Sequence, residues 1–117
     1  MIRVLIERRC KEGKEHALEN LIMDLRGRSL HQPGYISGET LVELKDPRSF
    51  LVISNWSRSE AWRAWENSRA RLEIVDLMTP LLAEEPRCQI YGSPLESEET
   101  VRATARFEYT NSGTFVN

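Results

Sequence analysis

The chain has 117 residues, 40% hydrophobic and 29% charged, which suits one globular domain with a real core and excludes a disordered chain. Sixteen Lys and Arg stand against 18 Asp and Glu, a net charge of −2, so no cationic surplus draws nucleic-acid phosphates. No apolar run approaches the roughly 20 residues that span a bilayer, and charge interrupts the apolar start, so the expectation is a cytoplasmic protein with neither membrane nor nucleic-acid partner.

Residues 2–10 (IRVLIERRC) are rich in branched aliphatics and read as a strand, broken by Lys11-Glu12-Gly13-Lys14. From 15 to 30, Ala17, Leu18, Leu21, Ile22 and Leu25 recur at helical spacing opposite charged residues. His31-Gln32-Pro33-Gly34 ends that helix. A second strand is predicted over 35–44, opening on Tyr35, with Gly38 marking a bulge or a close backbone approach. Lys45-Asp46-Pro47-Arg48 is turn chemistry, and Phe50-Leu51-Val52-Ile53-Ser54-Asn55-Trp56 is the most strand-like run of the chain.

Ser57-Arg58-Ser59-Glu60 has the form of a capping box, which predicts a helix carrying Ala61, Trp62 and Trp65 on one face. Its continuation over 68–82 repeats Leu72, Val75, Leu77 or Met78, and Leu82, with bends expected near Asn67-Ser68 and Pro80. A short last strand spans 87–91. The order is βαββαβ, a split pair of βαβ units with helices on one sheet face. Right-handed crossovers predict the first and third strands side by side and parallel, with the fourth antiparallel outside the first. That arrangement brings Cys88 near Cys10, as reduced thiols.

The third strand is apolar on both faces, Leu51 and Ile53 on one and Phe50 and Val52 on the other, and Leu5 stands opposite Ile2, Val4 and Ile6 in the first. A sheet face without helices then needs a cover, and a second copy of the chain, giving a homodimer, is the expected one. The alternative cover is the tail. Residues 1–93 form the expected domain and 94–117 the tail, within which 101–109 alternates with period two and reads as a possible extra strand on the partner subunit.

Phe50 to Trp56 followed by Ser57-Arg58-Ser59-Glu60-Ala61-Trp62-Arg63-Ala64-Trp65 resembles the antibiotic biosynthesis monooxygenase (ABM) family. The Lys11 to Lys14 break, the Pro33-Gly34-Tyr35 turn and Pro80-Leu81-Leu82 fit too, so the likeness runs over about residues 2–92. The resemblance implies an α+β fold, a dimeric α+β barrel of ferredoxin-like topology, with a pocket between sheet and helices in each subunit. It implies oxidation of a small aromatic, quinol-like or polyketide-like substrate by O2 without metal, flavin or haem. The substrate supplies the electrons once deprotonated, and the protein supplies a shaped apolar cavity and a few polar groups.

On that reading Asn55 and Trp65 are the catalytic candidates, and Trp56, Trp62, Tyr35 and Met78 the substrate-binding ones. Each also has a plainer reading: Trp56 as core, one of Trp62 and Trp65 as core, Asn55 as a turn or capping residue, Tyr35 as an edge aromatic. A haem-degrading sister group uses an Asn on the first strand and a His on the second helical segment; here residues 2–10 hold no Asn and no His follows His31. Cys10, Cys88, His16 and His31 are scattered, so no metal site is expected. No nucleophile–base pair, phosphate loop or paired-carboxylate set supports a hydrolase or kinase. A non-catalytic dimer holding a small hydrophobic ligand is the alternative function.

Overall fold

The computed structural model describes residues 1–94. The expected strand at 101–109, like the tail from 95 onward, lies outside them. The elements run β1 (Ile2–Arg9), α1 (Glu15–Ser29), β2 (Tyr35–Glu43), β3 (Asp46–Trp56), α2 (Ser59–Glu66), α3 (Arg69–Met78) and β4 (Arg87–Gly92), with a 3-10 turn over Thr79–Leu81. The expected βαββαβ order holds, with α2 and α3 as the two halves of the second helical segment.

The four strands form one sheet in the order β2-β3-β1-β4. Every neighbouring pair is antiparallel, β1 with β3 included. This corrects the parallel pairing expected for the first and third strands. Each chain reversal explains it: α1 returns the chain so that β2 runs with β1, and the β2–β3 hairpin then turns it once more. The hairpin turn is tighter than expected, Leu44–Lys45 alone, and β3 starts at Asp46. Pro47 falls in β3 just past a register shift between Val42 and Glu43, where a missing N–H is tolerated.

Period-two alternation decides which side chains meet the helices. In β1 Ile2, Val4, Ile6 and Arg8 are buried while Arg3 and Glu7 are exposed. Across the register, Trp56, Val52 and Phe50 of β3 share that face. From α1, Leu18, Ile22 and Leu25 come down onto it at helical spacing, and Ile74 and Met78 do so from α3. Arg28 ties the helices together by donating to the Ala70 carbonyl, 3.3 Å away.

Two local expectations differ. Arg58, not a serine, occupies the N-cap of α2, and no side chain caps that helix. Ser57 is instead spent on the turn, its N–H donating to the Gly34 carbonyl at 2.8 Å. The side-chain cap falls one helix later, where Ser68 Oγ accepts from Arg71 N–H at 3.2 Å and donates to the Trp65 carbonyl at 2.8 Å. That cap is why the segment breaks after Asn67 rather than bending. Neither Cys10 nor Cys88 forms a disulfide. Cys88 faces Ile6 in the ladder, whereas Cys10 lies four residues on, just past the end of β1 and bridged to Leu82, so the expected proximity is not met.

Gly34 holds the α1–β2 turn against α2. Its φ is +84°, and a Cβ there would stand 2.5 Å from the Ala61 Cβ and 2.9 Å from Ser57 Oγ. Gly34→Ala is expected to lower the unfolding free energy by about 2 kcal/mol or more, read as a fall in the urea midpoint. An unchanged midpoint would contradict this packing.

Candidate active site

An aromatic ladder crosses the space between sheet and helices. Tyr35, at the start of β2, stands edge-on to Trp56 at 5.3 Å between centroids, and Trp56 stands 5.8 Å from Trp62. Arg71 of α3 then lies over the Trp62 ring, 5.4 Å from its centroid. The three tryptophans are at most 3% exposed. Each carries a core's worth of buried area, so their packing and any site role are inseparable.

Beside this ladder is a cavity of about 40 Å³, walled by Tyr35, Trp56, Trp62 and Trp65 and closed by Ile22 and Leu25 of α1. Its polar lining is unusual in being unpaired. Trp56 Nε1 donates to Ser54 Oγ at 3.0 Å, but Trp62 Nε1, Thr40 Oγ1 and Arg8 Nη1 are buried without a hydrogen-bond partner in the protein. Buried polar atoms are ordinarily satisfied, so three unpaired ones around one void make it the polar spot of an otherwise apolar interior. Gly38 shapes the same wall. A Cβ there would lie 2.6 Å from the Tyr35 hydroxyl oxygen and 2.9 Å from the Ile53 carbonyl, so only glycine lets Tyr35 fold back over the strand.

Next to it opens a larger cleft of about 540 Å³, between α3, the chain that follows it, and the β1–β4 edge. Val75, Met78 and Leu82 make its apolar side, and Glu66, Glu84 and Glu85 also line it. Ile6, Arg8 and Arg71 border both spaces and form the throat between them. The inner cavity alone is far below the roughly 300–1,000 Å³ of enclosed ligand sites, whereas the cleft falls within that range.

The throat is electrostatically costly. Burial, followed by the like charge of Arg71, pushes the Arg8 guanidinium down from its ordinary value to about 10, against a smaller opposing pull from Cys88. Burial also lowers Arg71, opposed by Glu66 and Cys88. Neither arginine is in an ion pair among the described residues. Glu66, the acid nearest Arg71, is engaged by Arg63.

The structure thus brings five of the six expected site residues to these spaces: Tyr35, Trp56, Trp62 and Trp65 at the inner cavity and Met78 at the cleft. Asn55 is the exception. It points to the opposite, helix-free face, where Oδ1 accepts from Arg3 Nε and Nδ2 donates to Ser37 Oγ, both at 3.0 Å. Neighbouring strand residues face opposite ways, so Asn55 and Trp56 cannot line one cavity. Thr40, Arg8 and Arg71 were not foreseen. For Arg8 a signal existed: it occupies the slot after Ile2, Val4 and Ile6 where the alternation calls for an apolar residue. Among the described residues no group of three or more His, Cys, Asp or Glu could hold a metal ion, and no helix is long and apolar enough to cross a membrane.

Residues 1–77 match the family model described as antibiotic biosynthesis monooxygenase. Among curated proteins, SchA of Streptomyces halstedii is 27% identical over 79 residues; the match covers 68% of this chain but only 21% of SchA. Among solved structures, a conserved protein of Methanosarcina mazei Go1 superposes with a TM-score of 0.73 at 26% identity, over 77% of this chain and 89% of that one. SnoaB, a cofactor-independent oxygenase from Streptomyces nogalater, superposes with a TM-score of 0.70 at 16% identity, over 82% and 98%. At that identity the likeness to SnoaB is one of fold.

A buried cation without a carboxylate opposes folding. Because the folded-state pKa of Arg8 lies below its unfolded value, the penalty is fully present below about pH 10 and falls away as the pH rises from there toward the ordinary guanidinium range. Arg8→Met, which keeps the length and removes the charge, is expected to raise the unfolding free energy by about 1–3 kcal/mol at neutral pH. A lower urea midpoint would show that Arg8 is a structural pillar instead.

Proposed function

The chain belongs to the antibiotic biosynthesis monooxygenase family, and from that premise we propose that it is a cofactor-independent monooxygenase oxidising a small aromatic, quinol-like or polyketide-like molecule with O2. The observation that carries the reading is the set of unpartnered polar atoms, Arg8 Nη1, Thr40 Oγ1 and Trp62 Nε1, around a cavity walled by tryptophans. The substrate's ring system lies in the cleft against Val75, Met78 and Leu82, with its oxygenated edge at the throat. The inner cavity, with room for little more than a diatomic or a water, receives O2.

The balance of the reaction assigns the protein a modest task. A ring methylene becomes a carbonyl: the carbon gives up four electrons, one oxygen atom of O2 joins it, and the other leaves as water with the two displaced hydrogens. All the electrons come from the substrate, and they leave most readily from its phenolate or enolate. Donors aimed at that oxygen favour the anion, and in a dry cavity such donors act far more strongly than in water. Trp62 N–H and Arg8 are the donors in this proposal, Trp65, Trp56 and Tyr35 wall the oxygen cavity beside the ring's edge, and Met78 supports its body.

We also propose that the working unit is a cytoplasmic homodimer paired through the helix-free sheet face. Leu5, Leu51 and Ile53 are half-buried there, and Leu41 and Tyr91 are exposed beside them. Glu7–Arg87, Arg9–Asp46 and the Arg3–Asn55–Ser37 chain surround this apolar patch. An apolar centre within a polar rim is the usual anatomy of a protein interface.

Oxygen uptake with a panel of quinols and hydroxylated polycyclic aromatics tests the reaction. Trp62→Phe keeps a ring and removes the donor, and is expected to lower kcat about 10- to 100-fold. Saturable ligand binding with no oxygen consumption would instead favour the non-catalytic ligand-binding dimer. For assembly, Ile53→Asp is expected to give monomers in sedimentation, while Leu72→Asp on the outer surface of α3 leaves dimers; a monomeric wild type overturns the pairing.

A further inference from the structure

We propose that the throat is a carboxylate subsite, in which Arg8 and Arg71 hold the acid group of an aromatic carboxylic acid whose ring lies in the outer cleft. The assignment deepens the oxygenase reading and rests on it only for the location of the site. It adds that the ring edge reaching the throat carries a carboxylate.

Five other arginines of the described residues meet carboxylates, Arg9 with Asp46, Arg28 with Asp24, Arg63 with Glu66, Arg69 with Glu73 and Arg87 with Glu7, while Arg3 and Arg26 donate to Asn55 Oδ1 and the Gly38 carbonyl. Arg8, only 3% exposed, meets none, and its Nη1 has no hydrogen-bond partner. A second guanidinium stands at the same throat. Arg71 is held there by stacking on Trp62 and by donating from Nη1 to the Glu66 carbonyl at 3.3 Å, which leaves its other donors available. Two cations fixed together in a dry site, with the nearest acid already taken by Arg63, are a charge arrangement completed by an incoming anion.

Shape and charge narrow the anion. A guanidinium presents parallel N–H groups that match the two oxygens of a carboxylate. Glu84 and Glu85 line the cleft, so a singly charged group is better tolerated than a dianionic phosphate. Val75, Met78 and Leu82 require that the rest of the ligand be apolar, and about 540 Å³ accommodates a bicyclic ring.

Calorimetric titration of the full chain with 2-naphthoate and with 2-naphthamide separates the acid group from the ring. The acid is expected to bind about tenfold or more tightly than the amide, as a charge-assisted bond in a buried site implies. Arg8→Met is expected to abolish that preference. Should Arg8→Met not fold, Arg71→Met, on a half-buried helix position, carries the same test. Equal affinity for acid and amide, no saturation by either into the millimolar range, or a preference that survives both substitutions overturns the proposal. An acid preference in a protein that oxidises no quinol would keep the subsite and remove the oxygenase. Quinol turnover without acid preference would do the reverse.

Discussion

The helices of this chain cover only one face of its four-stranded sheet, and the remaining features follow from that asymmetry. On the covered face the strands cannot touch α1 and α3 everywhere, because α1 approaches from the β2 side and α3 lies toward β1 and β4. The gap between them is filled by Trp56, Trp62 and Trp65, and where rings of that size meet, small voids persist at their corners. On the uncovered face, Leu5, Leu51 and Ile53 are apolar beyond what a solvated sheet needs. One constraint therefore produces both the cavity under the helices and the apolar face through which we propose the dimer pairs.

Much of the fold was legible because alternation and helical spacing are strong in this sequence. Ile2, Val4 and Ile6 announce β1, Leu18, Ile22 and Leu25 announce α1, and turn residues announce a hairpin, expected at 45–48 where the turn is Leu44 and Lys45 alone. The strand direction is set by chain reversals: three separate β1 from β3, into α1, out of it and at the hairpin, and an odd number makes them antiparallel. The cap at Ser57 was indistinguishable in sequence from the real one at Ser68, since both are serines preceding a charged helical turn. What chose between them was tertiary: the Gly34 carbonyl takes the Ser57 N–H.

The site was partly legible for the same reasons. Trp62 and Trp65, three apart, share a helix face, and both reach the cavity rather than dividing into core and wall. Asn55 is a candidate as a polar side chain at the strand end, and parity, which decides the face of a strand residue, turns it away from Trp56. Arg8 was visible to that same rule and is the more informative residue. A charge in an apolar slot weakens the fold, and Arg8 occupies that slot at a cavity edge, where the proposed carboxylate subsite gives it an anion to hold. Arg71 depended on how α3 packs over Trp62, which no local pattern contains.

The central claim is that ligands are received under the helices at the Trp62 donor, not at the strand-end asparagine on the other face. Proton–nitrogen correlation spectra resolve indole N–H groups and asparagine side-chain amides separately. Titrating the chain with a naphthoquinol under nitrogen, so that no turnover intervenes, should move the Trp62 indole signal strongly, with the Trp56 signal less affected because Ser54 already holds it. The Asn55 amide signals should stay in place. Saturable binding that shifts Asn55 and leaves Trp62 unmoved would contradict the account.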